Sequence, residues 1–424
     1  MTAYPQTVVL DGSRLIETRR RLREGNDFAL QGALKVLTRQ AHEWLTQGPW
    51  SVTMKKKPPP SGDMHDYTSQ APYWWPSQDS PDGKPYVQRD GKTNPEVLDY
   101  TDRVYWEKVF ASSTVLALAW FYTENEAYAR HAGDILRAWF ITPETRMNPN
   151  LSHAQLIPHA NTGRFIGIID FSQAYTSVLD AASILATGGT GSCSPRDIPS
   201  RAPGWSYADA EGFRAWNVDF LAWLTDSPFG RDERAQRNNH GSFAAMQTAA
   251  IALFVGDAAR ARDEVLGALA HVAENIAPDG SQPEELRRTR SWHYSTFNLV
   301  ALTRLACVAR KAGVDLWNFA GPGGEGSISR AVDFLIPAAT SSKAWAFPEL
   351  DFKAYAAADI IRAAADAGHR RAREAVGRIQ MPPAGDLWLL RPAPEQLDAV
   401  KVDKHSKCGL GPRQIERSRS LDLR

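Results

Sequence analysis

LDYTDRVYWEKVFASSTVLALAWFY, residues 98–122, is the stretch that decides the fold class. Its apolar side chains Leu98, Tyr105, Val109, Leu116 and Trp120 recur at spacings of seven and four, with Val104 and Val115 beside them. That is the period of a helix with a face turned inward. Residues 27–47 repeat the pattern with Phe28, Leu30, Leu34, Leu37, Ala41 and Leu45. Segments near 126–140, 164–186, 208–224, 239–254, 257–275, 292–312, 327–339 and 353–367 do the same. Breakers such as Gly256-Asp257 and Pro278-Asp279-Gly280 separate them. Alternating runs of strand character are rare. A succession of roughly ten helices predicts an all-α fold of stacked helical hairpins. No fixed sequence period is visible, so a solenoid of similar repeats is not expected. Stretches 248–255 and 299–307 are apolar on more than one face, as the inner layer of a double-layered ring would be.

The chain has 424 residues, 43% hydrophobic and 23% charged, an ordinary globular composition with ample core. A formal net charge of +1 gives no global field toward nucleic acid or anionic lipid, so neither is an expected partner. An acidic substrate would have to meet a local basic cluster. Three cysteines, Cys193, Cys307 and Cys408, are too few and too widely spaced for a disulfide framework or a zinc ribbon, although one pair could form. No apolar run reaches the ~18–20 residues that span a bilayer. The opening MTAYPQTVVLDGSRL lacks a signal-peptide core. A cytoplasmic protein is expected if the sequence is complete, a secreted or periplasmic one if a leader was removed.

Residues 52–97 interrupt the helices. They are dense in Pro, Gly, Ser and Asp, and far longer than the usual connection of ~4–6 residues. Yet they hold Tyr67, Tyr73, Trp74, Trp75 and Tyr86, which disordered linkers avoid. An ordered, aromatic-rich loop laid over a cleft is expected. The chain's 14 Trp are expected to divide between core packing and stacking on flat sugar faces. Residues 188–204 read as a surface loop, and the basic end from Asp403 onward as a tail without catalytic consequence.

Two segments carry candidate chemistry. RNNHGS, residues 237–242, stands directly before an apolar helix. Asn238 or Asn239 suits an N-cap. His240 would then sit in the first turn, where the helix dipole favours a neutral imidazole able to accept a proton. EELRRTRSWHYSTF, residues 284–297, sets Arg287, Arg288 and Arg290 ahead of Tyr294. Arginine receives carboxylates through paired hydrogen bonds, and a tyrosine beside it should have a lowered pKa. Taken singly, a capped helix and a solvated basic turn explain both segments.

Together they resemble the alginate-lyase superfamily, especially polysaccharide lyase family five and the glucuronan-lyase relatives of family thirty-eight. In that group an Asn-His pair opens one helix, matched by Asn239-His240. An Arg-rich turn with Tyr seven residues after its first Arg opens a later helix, matched by Arg287, Arg290 and Tyr294. GRFIGIIDF, residues 163–171, is similar to the family's helix near the cleft, and DYTSQAPYWWP, residues 66–76, departs from family five's shorter lid. The resemblance spans residues 25–370. It implies an (α/α) toroid there, with an N-terminal extension at 1–24 and a C-terminal extension and basic tail at 371–424.

The implied activity is β-elimination on a β-1,4-linked polyuronate, glucuronan or mannuronate-rich alginate, with no cofactor and no metal. Asn239, Arg287 and His240 would hold the uronate carboxylate. Tyr294 would take the C5 proton and protonate O4, with His240 as base where those two groups lie on opposite faces. Arg290, Asn238, His65, Tyr73, Trp74, Trp75, His159 and Arg164 are expected to contact substrate. A toroid glycoside hydrolase is the rival enzyme, but among Asp66, Glu284 and Glu285 no pair stands out as the two acids it needs. A non-catalytic uronan-binding protein is the rival from another class. Oligomeric state is left open.

Overall fold

The computed structural model describes residues 4–187, 201–321, 326–383 and 385–399. The loop expected at 188–204 falls outside them as far as residue 200, and so do Cys193 and all of the tail expected from Asp403, with Cys408. Helix makes up 57% and strand 3%, so the architecture is all-α, a helical toroid. The helices are α1 (Gly12–Glu24), α2 (Phe28–Trp44), α3 (Thr101–Thr123), α4 (Glu126–Phe140), α5 (Ile169–Ser172), α6 (Tyr175–Thr187), α7 (Tyr207–Asp226), α8 (Pro228–Arg234), α9 (Asn239–Phe254), α10 (Ala258–Asn275), α11 (Pro283–Leu286), α12 (Ser291–Lys311), α13 (Ile328–Ala339), α14 (Ala358–Asp366) and α15 (Arg370–Ala375).

Burial separates two layers. Every residue of α12 from Ser291 to Ala306 is buried, and α9 is buried around most of its circumference. Against α9 packs α10, which buries a single stripe of Ala261, Val265, Ala268 and Val272. The same division sets α3, which takes up most of residues 98–122, against the one-sided α2 and α4, while α6 beside it is buried nearly all round. An all-round apolar helix belongs inside and a one-sided helix outside, and the chain obeys this. Much of the aromatic content is core. The Trp106 ring stacks on Phe171 at 3.7 Å between centroids and on Trp139 at 5.4 Å. Each such buried ring contributes roughly 1.5–3 kcal/mol of transfer free energy.

Four short strands, β1 (Thr68–Gln70), β2 (Trp74–Trp75), β3 (Val87–Gln88) and β4 (His153–Leu156), organise the long loop. The first pairs in parallel with the fourth, and the second antiparallel with the third. The loop's base is fixed by a buried ion pair, Lys55 Nζ to Asp102 at 2.9 Å, while Asp102 also accepts the Thr68 N–H.

Segments 4–24 and 385–399, within the expected extensions, pack on the body. Residues 8–10 give their backbone N–H groups to the buried carboxylate of Asp180, and Lys311 donates to the Thr7 and Leu10 carbonyls. Helix α1 follows, capped by Asp11 and ended by Gly25 at φ 74°, and buries Leu15 and Leu22. Residues 385–399 return across the body with Trp388, Leu390 and Ala393 buried. Arg391 pairs there with Asp359 and Glu395. Short polar caps and charges, not long apolar periods, hold these segments, which is why periodicity passed over them.

Candidate active site

The principal cleft encloses about 750 Å³ beneath the long loop. One wall is the start of α9. Asn238 is the N-cap, its side chain accepting the His240 N–H at 3.0 Å, and it does not line the cleft. Asn239 and His240 do. The buried carboxylate of Glu285 accepts Asn239 twice, from the backbone N–H at 2.6 Å and from Nδ2 at 2.8 Å. Burial pushes Glu285 up to about 7, against the pull of those two bonds. The amide is thereby oriented with one N–H left over. His240 Nδ1 lies 2.8 Å from Glu233 of α8, a carboxylate with no exposure. Burial raises the Glu233 pKa, and the facing imidazole opposes it. Nδ1 turned to a carboxylate leaves Nε2 for the cleft, a donor when the ring is charged and an acceptor when neutral.

The start of α12, which packs against α9, also lines the cleft. The Tyr294 hydroxyl is 2.7 Å from that of Tyr73, in the long loop. The guanidinium of Arg288 lies over the Tyr294 ring, 3.6 Å from its centroid. Arg288 is itself held by Asp90 of the loop, whose two oxygens each lie 3.2 Å from Nε. The expected lowering of the Tyr294 pKa is not what the site produces. Burial carries it well above the ordinary tyrosine value and Tyr73 adds to that, while Arg288 pulls the other way. Desolvation of a phenolate outweighs one stacked cation.

The hairpin of β2 and β3 sorts its own aromatics. Successive strand residues face opposite ways, so Trp74 lines the cleft while Trp75 turns out. There Trp75 donates to the Lys92 carbonyl at 2.8 Å and packs under Arg89. Arg164, just before the short α5, stands 5.7 Å from the Trp74 ring and has no carboxylate partner among the described residues. Burial lowers its pKa, and Glu233 opposes the shift.

Six expected site residues therefore meet at the cleft: Tyr73, Trp74, Arg164, Asn239, His240 and Tyr294. Arg287 does not. It is exposed, ends α11 and pairs with Glu284. Its neighbour Arg288 occupies the place expected for it. Arg290 is buried behind the cleft, 3.7 Å from Glu349. His65 bonds the Arg146 carbonyl, and His159 sits in an exposed turn at φ 65°, 6.4 Å from the Tyr86 ring. Sequence reading also passed over His293, Gln155 and Gln173 in the lining, and Gln396 from the C-terminal segment. Arg288 was visible in its basic turn. The others carry no spacing signal.

None of Asp66, Glu284 and Glu285 lines the cleft, and Asp66 is engaged by Ser61, Asn148 and Asn150. The acids that do line it, Asp90 and Glu107, are each held by an arginine, Arg288 and Arg103. Among the described residues no three His, Cys, Asp or Glu side chains are grouped to hold a metal ion, and no helix is long and apolar enough to cross a membrane.

A tyrosine, an imidazole and arginines gathered in a toroid cleft are the equipment of a polysaccharide lyase. The chain belongs to the alginate lyase family, whose model matches residues 51–345. Among solved structures it is similar to an alginate lyase from Bacteroides ovatus, with 30% identity, a TM-score of 0.82, and coverage of 92% of this chain and 99% of that one. Alginate lyase A1-III of Sphingomonas species A1, in the apo form of a histidine-to-alanine variant, shares the fold at 19% identity and a TM-score of 0.56, covering 94% and 96%. A tetrasaccharide complex of that variant gives 17% identity and 0.53, covering 84% and 93%. Comparison with curated protein sequences finds no match.

Proposed function

We propose that the protein cleaves a β-1,4-linked polyuronate, mannuronate-rich alginate or glucuronan, by metal-independent β-elimination. The observation that carries this is the Tyr294 hydroxyl, set against Tyr73 and under Arg288 in the same cleft that Asn239 and His240 line. The 30% identity to a Bacteroides ovatus alginate lyase across nearly the whole chain supports alginate as the polymer class.

The C5–H bond of a uronate is weakly acidic until its carboxylate is neutralised. Asn239, His240 and Arg164, the last without a carboxylate partner among the described residues, supply that, stabilising the enolate-like charge that develops. Arg288 favours the phenolate of Tyr294 across its ring face. Tyr294 as phenolate takes the C5 proton. The electron pair forms the C4–C5 double bond, the C4–O4 bond breaks, and the new phenol returns its proton to O4. In mannuronate and glucuronate the proton and the leaving oxygen share a face, so one residue serves both steps. Guluronate presents them on opposite faces and would need neutral His240 as base. Trp74 offers a flat face to a sugar ring.

The test is ultraviolet absorbance of the unsaturated product, with glucuronan, polymannuronate and polyguluronate offered separately. A rise on the first two that vanishes in Tyr294→Phe is the expected result. A folded protein giving no rise on any of the three would sink the reading.

A further inference from the structure

The cleft contains a second imidazole–carboxylate pair, built from a part of the chain that the reaction scheme does not use. His293 precedes Tyr294 on α12 and lines the cleft beside it. Its Nδ1 lies 3.0 Å from Asp398, a carboxylate with no side-chain exposure. Asp398 belongs to the C-terminal segment, whose Gln396 and Ala399 also line the cleft, and Gln396 donates to its other oxygen. The segment is anchored by Arg304, which donates to the Pro394 carbonyl at 2.7 Å and lies 3.3 Å from Glu395. The ring of His293 is fixed on its flanks, nearly parallel to Phe297 at 5.8 Å and edge-on to Tyr294 at 5.1 Å. Its backbone N–H is taken by Glu349.

This is more apparatus than a packed histidine needs. A carboxylate at Nδ1 takes the hydrogen bond of that atom and fixes the orientation of the ring. Nε2 has no hydrogen-bond partner among the described residues and belongs to the cleft side of the ring. A charged ring with Nε2–H presented to a cleft is a donor to an anion. A polyuronate carries a carboxylate on every sugar, whereas Asn239 and His240 on α9 serve the reacting one.

We infer that His293, held by Asp398, is a further substrate-contacting residue whose Nε2–H receives a polyuronate carboxylate, with Asp398 as its positioning residue. This rests on the polyuronate reading above. The C-terminal segment is then part of the binding machinery.

The experiment measures binding of a mannuronate tetramer and of a glucuronan oligomer to the Tyr294→Phe protein, which cannot turn them over, by calorimetry. His293→Leu and Asp398→Asn are each added to that background, with circular dichroism to check folding. His293→Leu is expected to weaken binding about tenfold, or ~1.4 kcal/mol. Asp398→Asn is expected to weaken it at least threefold. In the otherwise wild-type enzyme, His293→Leu should raise KM and leave kcat within threefold, a split that a merely structural role would not give. Unchanged binding in both variants overturns the inference. So does a loss in His293→Leu alone with Asp398→Asn binding at full strength, since the carboxylate would then play no part. If the Tyr294→Phe protein binds no uronate oligomer and the wild type forms no unsaturated product, the polyuronate reading itself has failed and takes this inference with it.

Discussion

The hydroxyls of Tyr73 and Tyr294 stand 2.7 Å apart across 221 residues of chain. One is carried by the long loop and the other by an inner helix, so the loop is joined to the residue that the proposed reaction turns on. Burial holds Tyr294 well above the ordinary tyrosine pKa in the empty cleft. A base works only when unprotonated, and below its pKa the unprotonated fraction grows about tenfold per pH unit. The rate kcat/KM should therefore climb from pH 7 to 9 without a plateau. Initial rates across that range check it, and a profile flat above pH 7 would remove Tyr294 as the ionising base.

Two adjacent arginines should behave differently. Arg288 lies on the Tyr294 ring and is tied to Asp90, whereas Arg287 is exposed and pairs only with Glu284. Arg288→Ala is expected to lower kcat/KM on the order of 10²-fold and to shift the alkaline rise to higher pH, because its charge favours the phenolate. Arg287→Ala should stay within threefold, since an exposed ion pair contributes ~0–1 kcal/mol. Equal losses in the two variants would contradict the placement.

Glu233 holds the His240 ring by Nδ1 and is fully buried. Glu233→Gln should keep the fold and lower kcat/KM on the order of 10²-fold, by releasing the ring from its fixed orientation. Rates and melting temperature on one sample separate the two effects. A rate within twofold of wild type would show that the ring needs no such partner.

His271 of α10 backs the first turn of α9, its Nε2 2.8 Å from the Ser242 hydroxyl. Burial depresses its pKa to about 4, while the unfolded chain protonates near 6.5. The folded state therefore binds fewer protons in that window. The stability owed to neutral His271 is complete above about pH 6.5 and is lost as pH falls toward about 4. Thermal melts of wild type and His271→Gln between pH 7 and 4 should show the wild type losing more. Parallel curves would place the acid sensitivity elsewhere.

Helices were the legible part of this chain. Period and breakers placed α2, α3, α4, α7, α9, α10, α12 and α13 because each buries a stripe or its whole circumference. The short α8 and α11 escaped, although α8 carries Glu233 and α11 carries Glu285. Seven and four residues are too few to display a period. The site divides in the same way. Asn239, His240 and Tyr294 announced themselves by standing at helix starts. The family resemblance points to Arg287 rather than Arg288, yet one residue in a turn reverses which side chain faces inward. Trp74 and Trp75 were indistinguishable until strand pairing assigned each a face. Glu233, Glu285 and Asp398 act from behind, and partnership across the fold leaves no trace in local sequence.

The double attachment of the long loop, Asp90 to Arg288 and Tyr73 to Tyr294, ties one segment to two neighbouring groups of the cleft. A displacement of the loop would take the partner from both groups at once. On the proposed mechanism, the placing of the loop and the readiness of the base are therefore one variable rather than two.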